Sequence, residues 1–195
     1  MKEFTTLEKA KDNVLPGQYL FARDKKGKDD KIVKEYKIFK HINQYVHMQG
    51  DKNYYEIING WQRLYMDIDI LVTEGISIDE VIAFISALEK HSCLFYGDTA
   101  NIYSSNTKTK YSYHIIMETK YAPNNIECKE KIVEMLKTFD HPYKKYIDMK
   151  VYRKNQLLRL MGSSKMGKDN VKIFVRGNNS SFESSLVSNI EFLIL

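Results

Sequence analysis

The sequence predicts a mixed α/β protein of the α+β class, and three observations carry that prediction. Apolar residues alternate in several short runs, as strands do, and recur at helical spacing in two longer ones. From Leu64 onward the two kinds of segment follow one another as strand, helix, strand, strand, helix, strand. With 195 residues and 43% apolar content, the chain can bury a substantial core, as one domain or as two small lobes sharing it.

The elements follow in order. Tyr19 to Ala22 is an apolar strand, and Lys25-Lys26-Gly27-Lys28-Asp29-Asp30 a polar turn. A helix is predicted near Tyr36 to Met48. Tyr54 to Ile58 reads as a strand, Asn59-Gly60 as a turn, and Leu64 to Val72 as a second strand. Ser77-Ile78-Asp79-Glu80 is a capping box, in which the serine and the glutamate satisfy each other's orphan N–H groups. It opens a helix whose Ile78, Val81, Ile82, Ile85 and Leu88 recur at helical spacing through His91. Ile102 to Ser104 is a short strand, Asn106 to Lys110 a turn, and Tyr111 to Met117 a strand. Asn124 or Asn125 caps a second helix, with Ile132, Val133, Leu136 and Phe139 on its inner face. Strands are expected at Ile147 to Tyr152 and Leu157 to Met161, then at Val171 to Val175 and Ile190 to Leu195. From Leu64 to Met161 the order is β-α-β-β-α-β, the split βαβ arrangement of ferredoxin-like and RNA-recognition folds. Residues 1–60 would supply an N-terminal lobe, and 61–195 the RNA-recognition-like unit with its closing segment.

Composition narrows the function classes. No apolar run reaches 18 residues, so no membrane span is expected. The opening Met1-Lys2-Glu3-Phe4 starts no signal-peptide core, which suits an intracellular protein. Two cysteines, Cys93 and Cys128, make neither a disulfide framework nor a four-ligand zinc site. The net charge of +5 is unevenly spread: residues 137–176 hold eleven Lys/Arg and three acids. Such a segment is either a phosphate-binding surface or a solvated lysine-rich face.

The most informative motif is Tyr65-Met66-Asp67-Ile68-Asp69. Alternate strand residues share a face, so Asp67 and Asp69 project together from an apolar run. Two carboxylates on a half-buried face repel each other and resist desolvation. A divalent cation with hard oxygen ligands relieves both costs, and a solvated edge strand is the alternative. Ser112 and His114 are also two apart, with Lys110 on their face: a donor surface suited to phosphate, or a core histidine bonded to a serine. Asp148 stands alone among cations, as an ion-pair partner or as a third carboxylate beside Asp67 and Asp69. Gly162-Ser163-Ser164-Lys165-Met166-Gly167-Lys168 lacks P-loop spacing, yet a turn with exposed N–H groups and Lys165 could hold a triphosphate.

These segments resemble the archaeo-eukaryotic primase superfamily: an acidic Asp-x-Asp/Glu strand, a Ser-x-His strand, then a hydrophobic-Asp segment. Within it, the chain is similar to the PrimPol-like branch and to N-terminal primase domains of poxvirus-type primase-helicases. Tyr54-Tyr55-Glu56-Ile57-Ile58 resembles the lead-in to the acidic strand. Asp148 through Lys168 matches the third motif without a gap, and Phe182 to Phe192 the closing segment. The resemblance implies a two-lobed primase core. It implies that Asp67, Asp69 and Asp148 bind two divalent ions, Mg²⁺ or Mn²⁺, with no zinc in this chain. Lys110, Ser112, His114 and Lys165 match phosphate-contacting residues, and Arg159 a nucleotide-contacting arginine. Arg153, Lys154 and Lys168 are expected to touch DNA. The pattern departs at Asp69, where PrimPol has Glu, and at Gln156, where it has a basic residue. A large insertion and a zinc-binding C-terminal module are missing, so the chain reads as a minimal catalytic core or an N-terminal piece of a longer protein.

The implied activity is template-directed primer synthesis on single-stranded DNA from NTP or dNTP, with a helicase domain or subunit as partner, at the site of DNA replication (a viral factory in host cytoplasm if viral). The alternatives are a primer-extending or translesion polymerase that does not initiate, and a non-catalytic nucleic-acid-binding module of the RNA-recognition type.

Overall fold

The computed structural model describes residues 2–50 and 52–188, and it is an α+β fold built on two antiparallel sheets. The first sheet contains β1 (Lys2–Phe4), β2 (Tyr19–Lys26), β3 (Ile32–Phe39), β4 (Tyr54–Ile58) and β8 (Gln156–Arg159), in the order β1-β3-β2-β4-β8. The second contains β5 (Gln62–Leu71), β6 (Ala100–Ser104), β7 (Lys110–Ala122) and β9 (Ile173–Arg176), in the order β5-β7-β6-β9. Four helices complete the described fold: α1 (Leu7–Lys11), α2 (Asn43–Val46), α3 (Ile78–Tyr96) and α4 (Asn125–Lys137). None of the described helices is long and apolar enough to cross a membrane.

The helix expected over Tyr36–Met48 is instead the strand β3 followed by the short α2. The polar turn was legible, but it is a hairpin: β2 and β3 pair from Tyr19↔Phe39 to Lys26↔Ile32. Pairing on both sides, with β1 and β2, fixes β3 as a strand, and its β-branched and aromatic residues suit one.

The second sheet carries the predicted β-α-β-β-α order through β5, α3, β6, β7 and α4. The predicted fourth strand, Ile147 to Tyr152, shrinks to one bridge, Ile68↔Ile147, on the free side of β5. Asp148 accounts for this, because its carboxylate accepts from Lys150 N at 2.8 Å and caps a 3₁₀ turn over Met149–Val151. The next expected strand, Leu157 to Met161, forms as β8 but joins the first sheet beside β4, from Tyr55↔Arg159 to Ile58↔Gln156. The third motif therefore crosses from one sheet to the other. The Val171–Val175 strand is observed as β9, and Ile190–Leu195 lies outside the described residues.

The capping box forms as predicted: Ser77 accepts from Glu80 N, and Glu80 accepts from Ser77 N at 2.9 Å. The helix runs on to Tyr96 and stops at Gly97, in the left-handed region at φ 59°. It buries Val81, Phe84, Ile85 and Leu88, whereas Ile78 and Ile82 face outward. On α4, Asn124 is the cap and Ile132 and Met135 are buried, but Val133 is exposed.

Two cores hold the fold. The larger lies under the second sheet, around Ile68, Ile70, Phe84, Ile115 and Cys128. The smaller is aromatic, with Phe21, Phe39, Tyr45, Tyr54 and Phe182 in edge or tilted contact. Residues 182–188 strap the two together: Phe182 and Leu186 enter the smaller core and Val187 the larger.

Candidate active site

The acids and the phosphate-type donors meet by strand register. In the β5–β7 pair Asp67 lies opposite His114, Asp69 opposite Ser112 and Leu71 opposite Lys110. Directly opposed residues of an antiparallel pair share a face. The face opposite carries Ile68, Ile70, Tyr113 and Ile115 into the larger core, so the polar set is held on a rigid, backed surface. Lys110 Nζ reaches Asp69 Oδ2 at 2.7 Å. His114 Nε2 stands 3.4 Å from Asp67 Oδ1, but that oxygen gains no hydrogen bond of acceptable geometry. Asp69 Oδ1 and His114 Nδ1 are likewise buried without a hydrogen-bond partner among the described residues. Buried polar atoms are nearly always satisfied, so two orphaned carboxylate oxygens on one face ask for a ligand.

Electrostatics say the same. Burial pushes Asp67 well above the usual carboxylate range, helped by the charges of Asp69 and Asp148 and opposed by Lys110 and Lys172. His114 is pushed far down, first by burial and then by Lys172, Arg159 and Lys110, so it is neutral near pH 7.

Asp148 comes to the acids through the backbone, its N–H donating to Asp67 O at 2.7 Å. Its side chain is turned to cap the Lys150 turn. Among the described residues, no group of three or more His, Cys, Asp or Glu side chains is arranged to hold a metal ion. The anticipated three-carboxylate cage is therefore not preassembled. The donor set still suits Mg²⁺ or Mn²⁺, because such ions are often held by one or two carboxylates plus substrate phosphates and water.

Arg159 and Lys165 arrive from the first sheet and the loop beyond it. Arg159, at the end of β8, is buried and donates to Asn170 O at 2.7 Å, with its Nε unpartnered. Its charge reaches Asp67 and Asp69. Asn170 also accepts from Lys165 N at 3.0 Å, so one buried asparagine fixes both cations. The expectation of free N–H groups in the 162–168 turn is corrected for most of the turn. The N–H groups of Ser163, Ser164, Lys165 and Lys168 go to Leu160 O, Lys52 O, Asn170 Oδ1 and Lys165 O. The turn also carries the exposed Lys165 side chain. Gly162 holds φ 78° there, a left-handed conformation that a side chain would strain.

Arg153 and Lys154 lie at the far end of β8 from Arg159. Arg153 Nε donates to Gln156 Oε1 at 2.7 Å, and its carbonyl accepts from Asn125 near the α4 N-terminus. Lys168 is exposed on the loop after Lys165. Among the described residues, none of the three makes a hydrogen bond or ion pair to Asp67, Asp69 or Asp148.

Two further residues escaped the sequence reading. Lys172, 1% exposed, donates to Arg159 O at 2.9 Å and lies 5.1 Å from the Tyr103 ring centre. Burial brings it down to about 8, against the charges of Glu56 and Asp67. Glu56, 1% exposed, accepts from Val187 N, Ser188 N and Ser188 Oγ. No local signal marks Lys172, which sits inside the apolar run Val171 to Val175. Glu56 was visible only as an acid inside an apolar strand.

Asp67 makes metal-free stability depend on pH. Its folded pKa is raised, so between the ordinary carboxylate range and that raised value the folded protein holds a proton the unfolded chain has released. Stability should therefore fall as pH rises through that window. In chelator at pH 8, Asp67→Asn is expected to be more stable than wild type by about 1–2 kcal/mol. Its pH slope should be shallower but not flat, since Glu56 is raised too. Urea unfolding at pH 5 and pH 8 reads both, and identical slopes in the two proteins would contradict the assignment.

Comparison with known proteins adds one relation. The chain is 35% identical over 82 residues to a "Putative helicase/primase complex protein" of African swine fever virus. That stretch is 40% of this chain and 8% of the viral protein, so the chain spans a small part of its relative's length. No family model matches the sequence. The relation is to a primase-associated viral protein.

Proposed function

We propose that this chain is the catalytic core of a template-directed DNA primase or primase-polymerase, acting by metal-assisted nucleotidyl transfer. One observation carries the reading: Asp67 and Asp69 stand directly opposite His114 and Ser112, and two carboxylate oxygens there are buried and unsatisfied. The similarity to a viral helicase/primase complex protein supports it.

In this reading Asp67 and Asp69 hold the cations, with Asp148 joining after its carboxylate leaves the Lys150 turn. Bound Mg²⁺ or Mn²⁺ would lower the pKa of the attacking 3′-hydroxyl and neutralise charge on the triphosphate. Ser112, Lys110 and Lys165 donate to phosphate oxygens. Neutral His114 donates one N–H without adding a positive charge beside the metal ligands. Arg159, locked by Asn170, orients the nucleotide. The protein's contribution is positioning and charge complementarity on a backed sheet face. Single-stranded DNA as template, NTP or dNTP as substrate and a helicase as partner belong to this proposal.

A binding module of the RNA-recognition type would present solvent-facing aromatics on its sheet. Here Tyr103, opposite His114 on β6, is fully buried, and the strand beyond β7 sets Asp67 and Asp69 on this face. The decisive assay supplies template, nucleotides and Mn²⁺ without primer. Labelled oligonucleotide should appear, and chelator should abolish it. Product only when a primer is added would favour an extending polymerase; no product in either case, with chelator-insensitive DNA binding, would favour the module.

A further inference from the structure

We propose that Lys110 is a resident counter-ion for Asp69, traded for the incoming triphosphate, so that metal and nucleotide must enter the site together. The inference rests on the metal-site reading above and adds how that site is regulated.

Lys110 Nζ is 2.7 Å from Asp69 Oδ2. Its backbone is pinned by the turn before β7: Lys110 N donates to Thr107 Oγ1, and Lys110 O accepts from Thr107 N at 2.8 Å. The side chain is 27% exposed, so it can swing while its anchor stays fixed. Two other cations whose charges reach Asp67, Arg159 and Lys172, are already hydrogen-bonded to backbone carbonyls. Lys165, whose charge also reaches Asp69 and Asp67, makes no ion pair with either. Among the described residues Lys110 is the lysine ion-paired to a carboxylate of this face, and so the one that a bound cation must displace.

A divalent ion and the Lys110 ammonium compete for the same carboxylate. Once an ion occupies Asp69, the Lys110 attraction there becomes repulsion from the metal. A triphosphate arriving with the ion would offer that ammonium new acceptors beside Ser112, which lies opposite Asp69, and within reach of the Lys165 charge. Metal alone must evict Lys110 with nothing to receive it. Metal with nucleotide evicts it into a new set of hydrogen bonds, so binding of the two is coupled.

The test is Mn²⁺ binding, read by the resonance of free Mn²⁺, with and without a non-hydrolysable nucleoside triphosphate analogue. Wild type should bind Mn²⁺ weakly alone and about tenfold or more tightly with the analogue. Lys110→Ala should bind Mn²⁺ alone about fivefold more tightly than wild type, the size expected for losing one part-exposed ion pair. It should also lose most of the gain from the analogue. Lys110→Arg should behave as wild type. Should Lys110→Ala melt early, Lys110→Gln retains the stem and replaces it. If wild type shows the analogue's gain but Lys110→Ala binds Mn²⁺ alone no better than wild type, the exchange is wrong and the metal site stands. If wild type binds no Mn²⁺ even with analogue, and matches Asp67→Ala, the proposed function falls and the exchange with it.

Discussion

Primer synthesis should be lost in Asp67→Ala and in Asp69→Ala, by about 10³-fold or more in each, while the fold survives. The size follows from what each carboxylate does. Both oxygens left orphaned, Asp67 Oδ1 and Asp69 Oδ1, belong to this pair, and they project from one face of β5. Removing either leaves a single fixed anion where two must hold a cation against a triphosphate. Survival of the fold follows from the same facts. Asp67 is half-buried, repelled by Asp69 and Asp148, and held above its ordinary pKa, so its truncation relieves electrostatic strain. The Ile68 and Ile70 side chains that anchor the strand point the other way, into the larger core. Thermal melts should therefore match or exceed wild type while product disappears. Synthesis retained in both variants, measured on single-stranded template with Mn²⁺, would remove the carboxylates from the chemistry.

The second large effect is on stability. Glu56→Ala is expected to cost about 2–4 kcal/mol. The carboxylate is on β4, in the first sheet, and it accepts from Val187 N at 2.9 Å, Ser188 N at 2.9 Å and Ser188 Oγ at 2.9 Å. Those donors belong to the strap that joins the two cores. Truncation would leave the buried Val187 N–H and the half-buried Ser188 N–H and hydroxyl without their acceptor, and Lys172 without the larger of its two opposing charges. Arg63 also grips the strap, its Nη1 donating to Glu183 O, Ser184 O and Leu186 O, so the segment should loosen rather than detach. Glu56→Gln should fall between, because an amide offers one acceptor oxygen where the carboxylate uses two. Denaturant unfolding decides this, and a loss below about 0.5 kcal/mol for Glu56→Ala would show the strap is held by other contacts.

Both effects bear on how much could be read without coordinates. The period-two alternation places Asp67 with Asp69, and Lys110 with Ser112 and His114, before any fold is known, since it depends only on local strand geometry. The capping box at Ser77 and the Asn124 cap are equally local. The misread segments failed for different reasons. Residues 32–39 have partners on both sides in distant strands, and those override a weak helical pattern. Residues 147–152 contain an aspartate whose cap on Lys150 N competes with strand pairing. The N–H groups of the 162–168 turn look free in sequence, but Lys52 and Asn170 claim two of them.

The sequence by itself determined which side chains share a face within β5 and within β7, where the long helices begin, and that the acids needed a positive partner. Only the tertiary structure decided that Asp67 meets His114 and Asp69 meets Ser112, that β8 carries Arg159 over from the other sheet, and that Lys172 and Glu56 are buried charges. The division is physical. Side-chain facing and helix caps are set by residues a few positions apart, whereas register and burial are set by pairing and packing between segments far apart in the chain.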